Sequence, residues 1–187
     1  MESKAKLFGH PIHPMLIVFP LGLLVMALIF DAIAYFTGNL QLSVASYWMI
    51  AGGVVGGLAA AVFGFIDWLA IPTGTRARNI GFWHGVGNVV VVVLFAAAFW
   101  MRSDNPGNVA GPYSFGTMLV GVLLGAVTGW LGGELVDRLG VGVDRGAHLN
   151  APSSLTNRPA YEGAAGEPHV ATTATPVTTT TAERRAA

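Results

Sequence analysis

Residues 80–101 read IGFWHGVGNVVVVVLFAAAFWM, a run without a single Asp, Glu, Lys or Arg. A helix needs roughly 20 mostly apolar residues to cross about 30 Å of hydrocarbon, so this run is long enough to span a bilayer. It holds five consecutive valines, Val89 to Val93, and shows no amphipathic alternation of the kind a half-buried soluble helix carries. Three more runs of the same character lie around it, at residues 15–36, 44–71 and 114–136. The links between them are short and rich in turn residues: Thr37-Gly38-Asn39, Pro72-Thr73-Gly74 and Asp104-Asn105-Pro106-Gly107. A lipid-exposed segment must satisfy its own backbone hydrogen bonds, so each run is expected to be a helix. Short links make consecutive helices antiparallel neighbours. The expected fold is all-α: an integral membrane four-helix up-down-up-down bundle over residues 15–136. Residues 1–14 form a cytoplasmic N-terminal segment and residues 137–187 a disordered cytoplasmic tail.

Composition agrees. The chain of 187 residues is 53% hydrophobic and only 11% charged, against about 25% charged in a typical soluble domain. A formal net charge of +0 gives no electrostatic footprint for nucleic acid. The absence of cysteine excludes disulfides, thiolate nucleophiles, Cys-held iron–sulfur clusters and covalently attached haem, leaving only non-covalent cofactors. Lys4, Lys6, the first apolar run and Ala32-Ile33-Ala34 imitate a cleavable secretory signal. The run is longer than the roughly 7–15 residues of a signal's apolar region, so a retained first helix is the expectation.

Basic residues set the orientation. Lys4, Lys6, Arg76, Arg78, Arg138 and Arg145 flank the spans on one side, and only Arg102 on the other. Cytoplasmic segments hold the excess of Lys and Arg, which puts both termini and the loop between spans 2 and 3 in the cytoplasm of a plasma membrane protein. After Leu139 the chain turns to Gly, Ala, Pro and Thr, ending in a threonine run at 178–181. Such a composition buries too little apolar area to offset its ordering entropy.

Small residues recur every fourth position in two spans. Span 2 has Gly52, Gly56, Ala60 and Gly64, with Gly53, Gly57 and Ala61 beside them, and span 4 has Gly121, Gly125, Gly129 and Gly133. Ladders of this kind let helix backbones approach closely in lipid. The direct expectation is that spans 2 and 4 pack on one another. Homo-oligomer contact, or a gap for a flat cofactor, are the alternatives.

Counting helix directions places the polar residues at one end. His10 and His13 open span 1, Asp67 and Trp68 close span 2, His84 opens span 3 and Glu134 closes span 4. His84 and Asn88, four apart, share a helix face. Ionisable groups in spans mostly face the bundle interior, so this cluster is the candidate site. Pro14 suits a first helical turn, while residues before proline avoid helical geometry, so His10 and His13 are expected to be extended. Pro20, inside span 1, leaves the Leu16 carbonyl without its usual donor and is expected to kink the helix.

The opening Gly9-His10-Pro11-Ile12-His13-Pro14, running on through Phe19-Pro20-Leu21-Gly22, resembles that of the bacterial membrane-protein family known as DUF2231. The resemblance continues through Asp67-Trp68, His84 and Gly132-Gly133-Glu134-Leu135-Val136, covering about residues 7 to 145. It implies a four-helix integral membrane domain, an association with Rieske-type iron–sulfur proteins in some members, and no settled activity. A chain without cysteine cannot carry such a cluster itself.

Three functions fit these residues. One is a structural or partner-binding membrane module whose polar cluster forms interhelical hydrogen bonds. Another is a b-type haem protein for electron transfer, with His13 and His84 as ligands and Asp67 or Asn88 fixing a tautomer. The third is a divalent metal site built from His10, His13, His84, Asp67 and Glu134. An ion pathway is disfavoured, because the outer half offers little beyond Asp31, Tyr35 and Thr117, and Asp31 is placed to pair with Arg102 at the outer surface. No hydrolase, kinase or dinucleotide motif is present, and the glycine runs follow no strand and so read as helix seams. The bilayer itself, a redox protein and a second copy of the chain are the expected partners.

The charge bias yields a direct test. A reporter fused after Ala187 should remain cytoplasmic, while reporters near Asn39 or Asn105 should be exported. An exported C-terminal reporter would contradict the both-ends-in topology.

Overall fold

The computed structural model describes residues 1–164. A two-residue hairpin, β1 (Lys6–Leu7) and β2 (His10–Pro11), precedes helices α1 (Ile12–Leu16), α2 (Val18–Thr37), α3 (Leu40–Leu69), α4 (Arg76–Trp100) and α5 (Pro112–Gly133). A π-helical turn, Glu134–Arg138, continues α5, and a single 3-10 turn covers Ser154–Thr156. With α1 and α2 counted as one, four helices are long and apolar enough to cross a membrane. The expected four-helix bundle is the fold.

Local chemistry sets the helix bounds, which begin a few residues before the apolar runs do. Asn39 caps α3 by accepting from the Gln41 N–H at 3.1 Å, and Thr75 caps α4 by accepting from the Arg78 N–H at 3.2 Å. Pro112 stands in the first turn of α5, where its missing N–H costs nothing. The first span breaks at Ile17, next to the carbonyl that Pro20 leaves without a donor.

The interior is narrow, and glycine makes it so. A Cβ at Gly53 would stand 2.3 Å from Leu24, and one at Gly56 would stand 3.2 Å from Phe19 and 3.3 Å from Pro20. Across the bundle, a Cβ at Gly87 would meet Thr128 at 2.3 Å and one at Gly121 would meet Phe95 at 2.8 Å. These contacts correct the expected pairing of spans 2 and 4. The α3 ladder packs on α2, and of the α5 ladder Gly121 packs on α4, because helices joined by short links are neighbours and α3 and α5 stand on the diagonal. A Cβ at Gly125 or Gly129 would meet no neighbouring atom of the described residues within 4 Å. Leu24, Ala27, Ile50, Phe95 and Met118 fill the centre.

One end of the bundle is fastened by charge. Asp31 is fully buried on α2, and its Oδ2 accepts from Arg102 Nη1 at 2.6 Å and from Ser46 Oγ at 2.7 Å. Arg102, just past α4, also donates to the Ser43 carbonyl at 2.9 Å, so three spans meet at this pair. The sequence placed the partners at one level but at the surface; the structure buries them, since Ser43 and Ser46 line α3 where they can share the load.

At the other end the chain folds over itself. The Met1 carbonyl accepts from the Gly142 N–H at 2.7 Å, Lys6 bonds Asp144, and Ser154 meets His10 at 3.2 Å. The Arg145 N–H and then Lys6 hold the Glu2 carboxyl below its ordinary value, and Asp144 raises Lys6. Disorder was expected from 137 onward; instead the stretch 139–164 is a series of turns tied to the N-terminal segment. It has no core of its own but docks through backbone and charged groups. The threonine-rich remainder of that expectation lies outside the described residues.

Two outcomes follow for stability. Arg102→Leu should lower the stability of the detergent-solubilised protein by about 3–5 kcal/mol, because it leaves Asp31 buried and unpaired; adding Asp31→Leu should recover part of the loss. Thermal melts would also separate two glycines of the ladders: Gly56→Leu should destabilise strongly, Gly125→Leu hardly at all, and equal losses would place α5 against a surface not described above.

Candidate functional site

The first span presents His13 in the opening turn of α1, helical and not extended as proline at 14 led one to expect. Its ring supplies the reason. His13 Nδ1 lies 2.8 Å from the Ala60 carbonyl on α3, and the ring occupies the space a Cβ at Gly64 would need, at 2.9 Å. Seating the imidazole there outweighs the local preference against helix before proline.

The third span repeats the arrangement with different partners. His84 Nδ1 lies 2.8 Å from the Thr128 carbonyl on α5, and its ring fills the space beside Gly132, where a Cβ would come within 3.0 Å. A carbonyl only accepts, so each Nδ1 must carry the proton. In the neutral tautomer with the proton on Nδ1, Nε2 is the ring nitrogen that keeps a lone pair. The two imidazoles stand in an edge-to-face arrangement with ring centres 6.3 Å apart and planes at 85°.

Asn88, one turn after His84, supports the ring without ligating anything. Its amide nitrogen donates to the His84 carbonyl at 2.8 Å and its oxygen accepts from Thr128 Oγ1 at 3.0 Å. That nitrogen lies 3.3–3.4 Å from both ring nitrogens, a placement that cannot address the in-plane lone pair of either. Thr128 thus holds His84 through its carbonyl and Asn88 through its hydroxyl.

The other expected site residues are elsewhere. Asp67 accepts from Ser3 Oγ at 2.8 Å and from the Lys4 N–H at 2.7 Å. Glu134 pairs with Arg76 at 2.6 Å, joining the ends of α5 and α4. His10 turns to Ser154. Among the described residues no group of three or more His, Asp or Glu stands close enough to hold a metal ion, so the five-residue metal site is not formed. The physical reason is that each carboxylate found a nearer partner: a guanidinium for Glu134, and a hydroxyl with two N–H groups for Asp67. Trp68 likewise stands in the last turn of α3, where the Arg78 guanidinium from the start of α4 stacks 3.7 Å from its ring.

Sequence reasoning missed Ala60, Thr128 and Gly132. Ala60 and Thr128 act through backbone carbonyls, which no residue type advertises. Gly132 sits off the four-residue ladder of its helix, and only the ring packed on it gives it a purpose.

These features define a polytopic membrane protein with a paired-imidazole centre near one end of its bundle. The family described as "Predicted membrane protein (DUF2231)" matches residues 9–145, and the chain belongs to it. No curated protein and no solved structure matches the chain.

Proposed function

We propose that this protein binds a b-type haem between His13 and His84 and serves as a membrane electron carrier. The observation that carries this reading is the geometry of the two rings. Two imidazoles at close range on different helices could both reach one metal centre, each through a ring nitrogen at roughly 2.0 Å. The rings stand 6.3 Å apart. Their Nδ1–H bonds to backbone carbonyls are the arrangement that fixes a ligating histidine's tautomer and orientation.

The number of donors favours haem over a bare ion. A divalent zinc or copper ion asks for about four protein donors, and among the described residues no third histidine or carboxylate joins the two imidazoles. A porphyrin brings four nitrogens of its own and needs only the axial pair. Gly64 and Gly132 leave room for the rings. When bound, the haem would supply one-electron chemistry; the chain's part is to hold two neutral imidazoles in a largely apolar setting.

In this reading the paired histidines lie toward the cytoplasmic face of the plasma membrane, the face that carries Lys4, Lys6, Arg76 and Arg78. The electron partner approaches from that face, and a Rieske-type iron–sulfur protein is the class the family resemblance implies.

The test is spectroscopic. Protein produced with ample haem supply and purified in detergent should show a Soret band, with one haem per chain and a low-spin bis-imidazole signature. His13→Ala and His84→Ala should each abolish that signature, and Gly132→Val should weaken it by pushing the His84 ring aside. If the parent protein takes up no haem, either in cells or on mixing with hemin, the pair is a structural contact.

A further inference from the structure

Asp67 is not a ligand, yet it lies on the same stripe of α3 as the two groups that hold His13. Ala60 gives the carbonyl, Gly64 the seat, and Asp67 follows three residues later, an i, i+4, i+7 series on one helix face. We infer that Asp67 is the latch that keeps His13 in its axial position, so that ligation by His13 is conditional on the N-terminal segment being fastened. This rests on the haem reading above and adds to it a means of control.

The connection runs through hydrogen bonds. Both Asp67 oxygens accept from Ser3 Oγ at 2.8 Å, and Oδ1 also accepts the Lys4 N–H at 2.7 Å and the Ala5 N–H at 3.3 Å. The Ala5 carbonyl then accepts the Ile12 N–H at 2.9 Å, closing the hairpin in which Lys6 pairs Pro11 and Leu7 pairs His10. Ile12 opens α1, and His13 is the next residue. Three donors therefore converge on one carboxylate, and one further bond reaches the helix that bears the ligand.

The two histidines differ in what else holds them. His84 sits within the 25-residue span α4. His13 sits in the first turn of the first span, in a stretch with no buried residue. Helix ends open far more readily than helix interiors. Loss of the latch therefore loosens His13 and leaves His84 in place.

The test compares Asp67→Asn, Ser3→Ala and the control Arg76→Gln in the haem-loaded full chain. Asp67→Asn keeps the volume but removes the negative charge, which weakens the charge-assisted bonds from Ser3 and from the Lys4 and Ala5 N–H groups; Ser3→Ala removes two of the contacts and leaves α3 untouched. Expected in both is retained haem with a shift from six-coordinate low-spin toward five-coordinate high-spin iron, reversed by added imidazole. Carbon monoxide should bind the ferrous Asp67→Asn protein roughly tenfold faster than the parent. Hydrogen exchange of amides 3–12 should rise in the same variants, and Arg76→Gln should match the parent throughout. Haem-loaded Asp67→Asn and Ser3→Ala with the parent's spectrum and carbon monoxide rate would overturn the latch and leave the haem reading standing. A parent that takes up no haem would overturn both.

Discussion

Hydrocarbon gives a polar side chain nothing to bond to, and the layout of this bundle follows from that constraint. Backbone groups are satisfied by helix, which explains four spans and short links. The polar side chains gather at two levels, one near each end, and both levels are closed by partners drawn from other helices. Asp31 takes Arg102 and Ser46. His13 and His84 take carbonyls from α3 and α5. Between these levels the contacts are apolar and close, with glycine admitting Leu24, Phe95 and the ring of Pro20.

The two ends solve the problem by different chemistry, and the difference bears on function. At one end opposite charges meet directly, with Asp31 Oδ1 and Arg102 Nε left buried without a hydrogen-bond partner among the described residues. At the other, two imidazoles are held by backbone carbonyls. Each ring's Nδ1 is bonded to a backbone carbonyl of another helix, and the two ring centres stand 6.3 Å apart. The structural reading of the cluster nonetheless describes part of it well: Asn88 and Thr128 form an interhelical hydrogen bond of the ordinary kind.

The spans were legible in the sequence because hydropathy averaged over a membrane thickness is a strong signal that side-chain detail does not disturb. Depth was legible too, since reversing direction at each link puts His13 and His84 at one level. Azimuth was not. Helical phase says which residues share a face, as for Gly52, Gly56 and Gly64, but not which neighbour that face meets, so the ladders were first assigned to one another. Depth makes Asp67 and Glu134 neighbours of the histidines, and the phase of Asp67, three residues after Gly64, points it along the small-residue seam. Their real partners, Ser3 with two backbone N–H groups, and Arg76, lie in segments whose course depends on turns and caps. His13 itself was read as extended because the rule about residues before proline is local, while its ring is held from α3.

The buried Asp31–Arg102 pair has a consequence for how the protein is made. Synthesis delivers Asp31 at the end of the first span and Arg102 only at the end of the third, so the carboxylate enters the membrane two spans ahead of its counter-charge. An unpaired acidic side chain in a span costs about 2.5–3.5 kcal/mol at the helix centre on insertion scales, and less near the end. Ser46, on the second span, is the first partner to arrive, so the α2–α3 hairpin leaves the insertion machinery with Asp31 half satisfied. Completion waits for the α3–α4 turn to bring Arg102 back across. The order of biogenesis is thereby written into the pair: the first hairpin is a provisional assembly, and the arrival of the third span closes it.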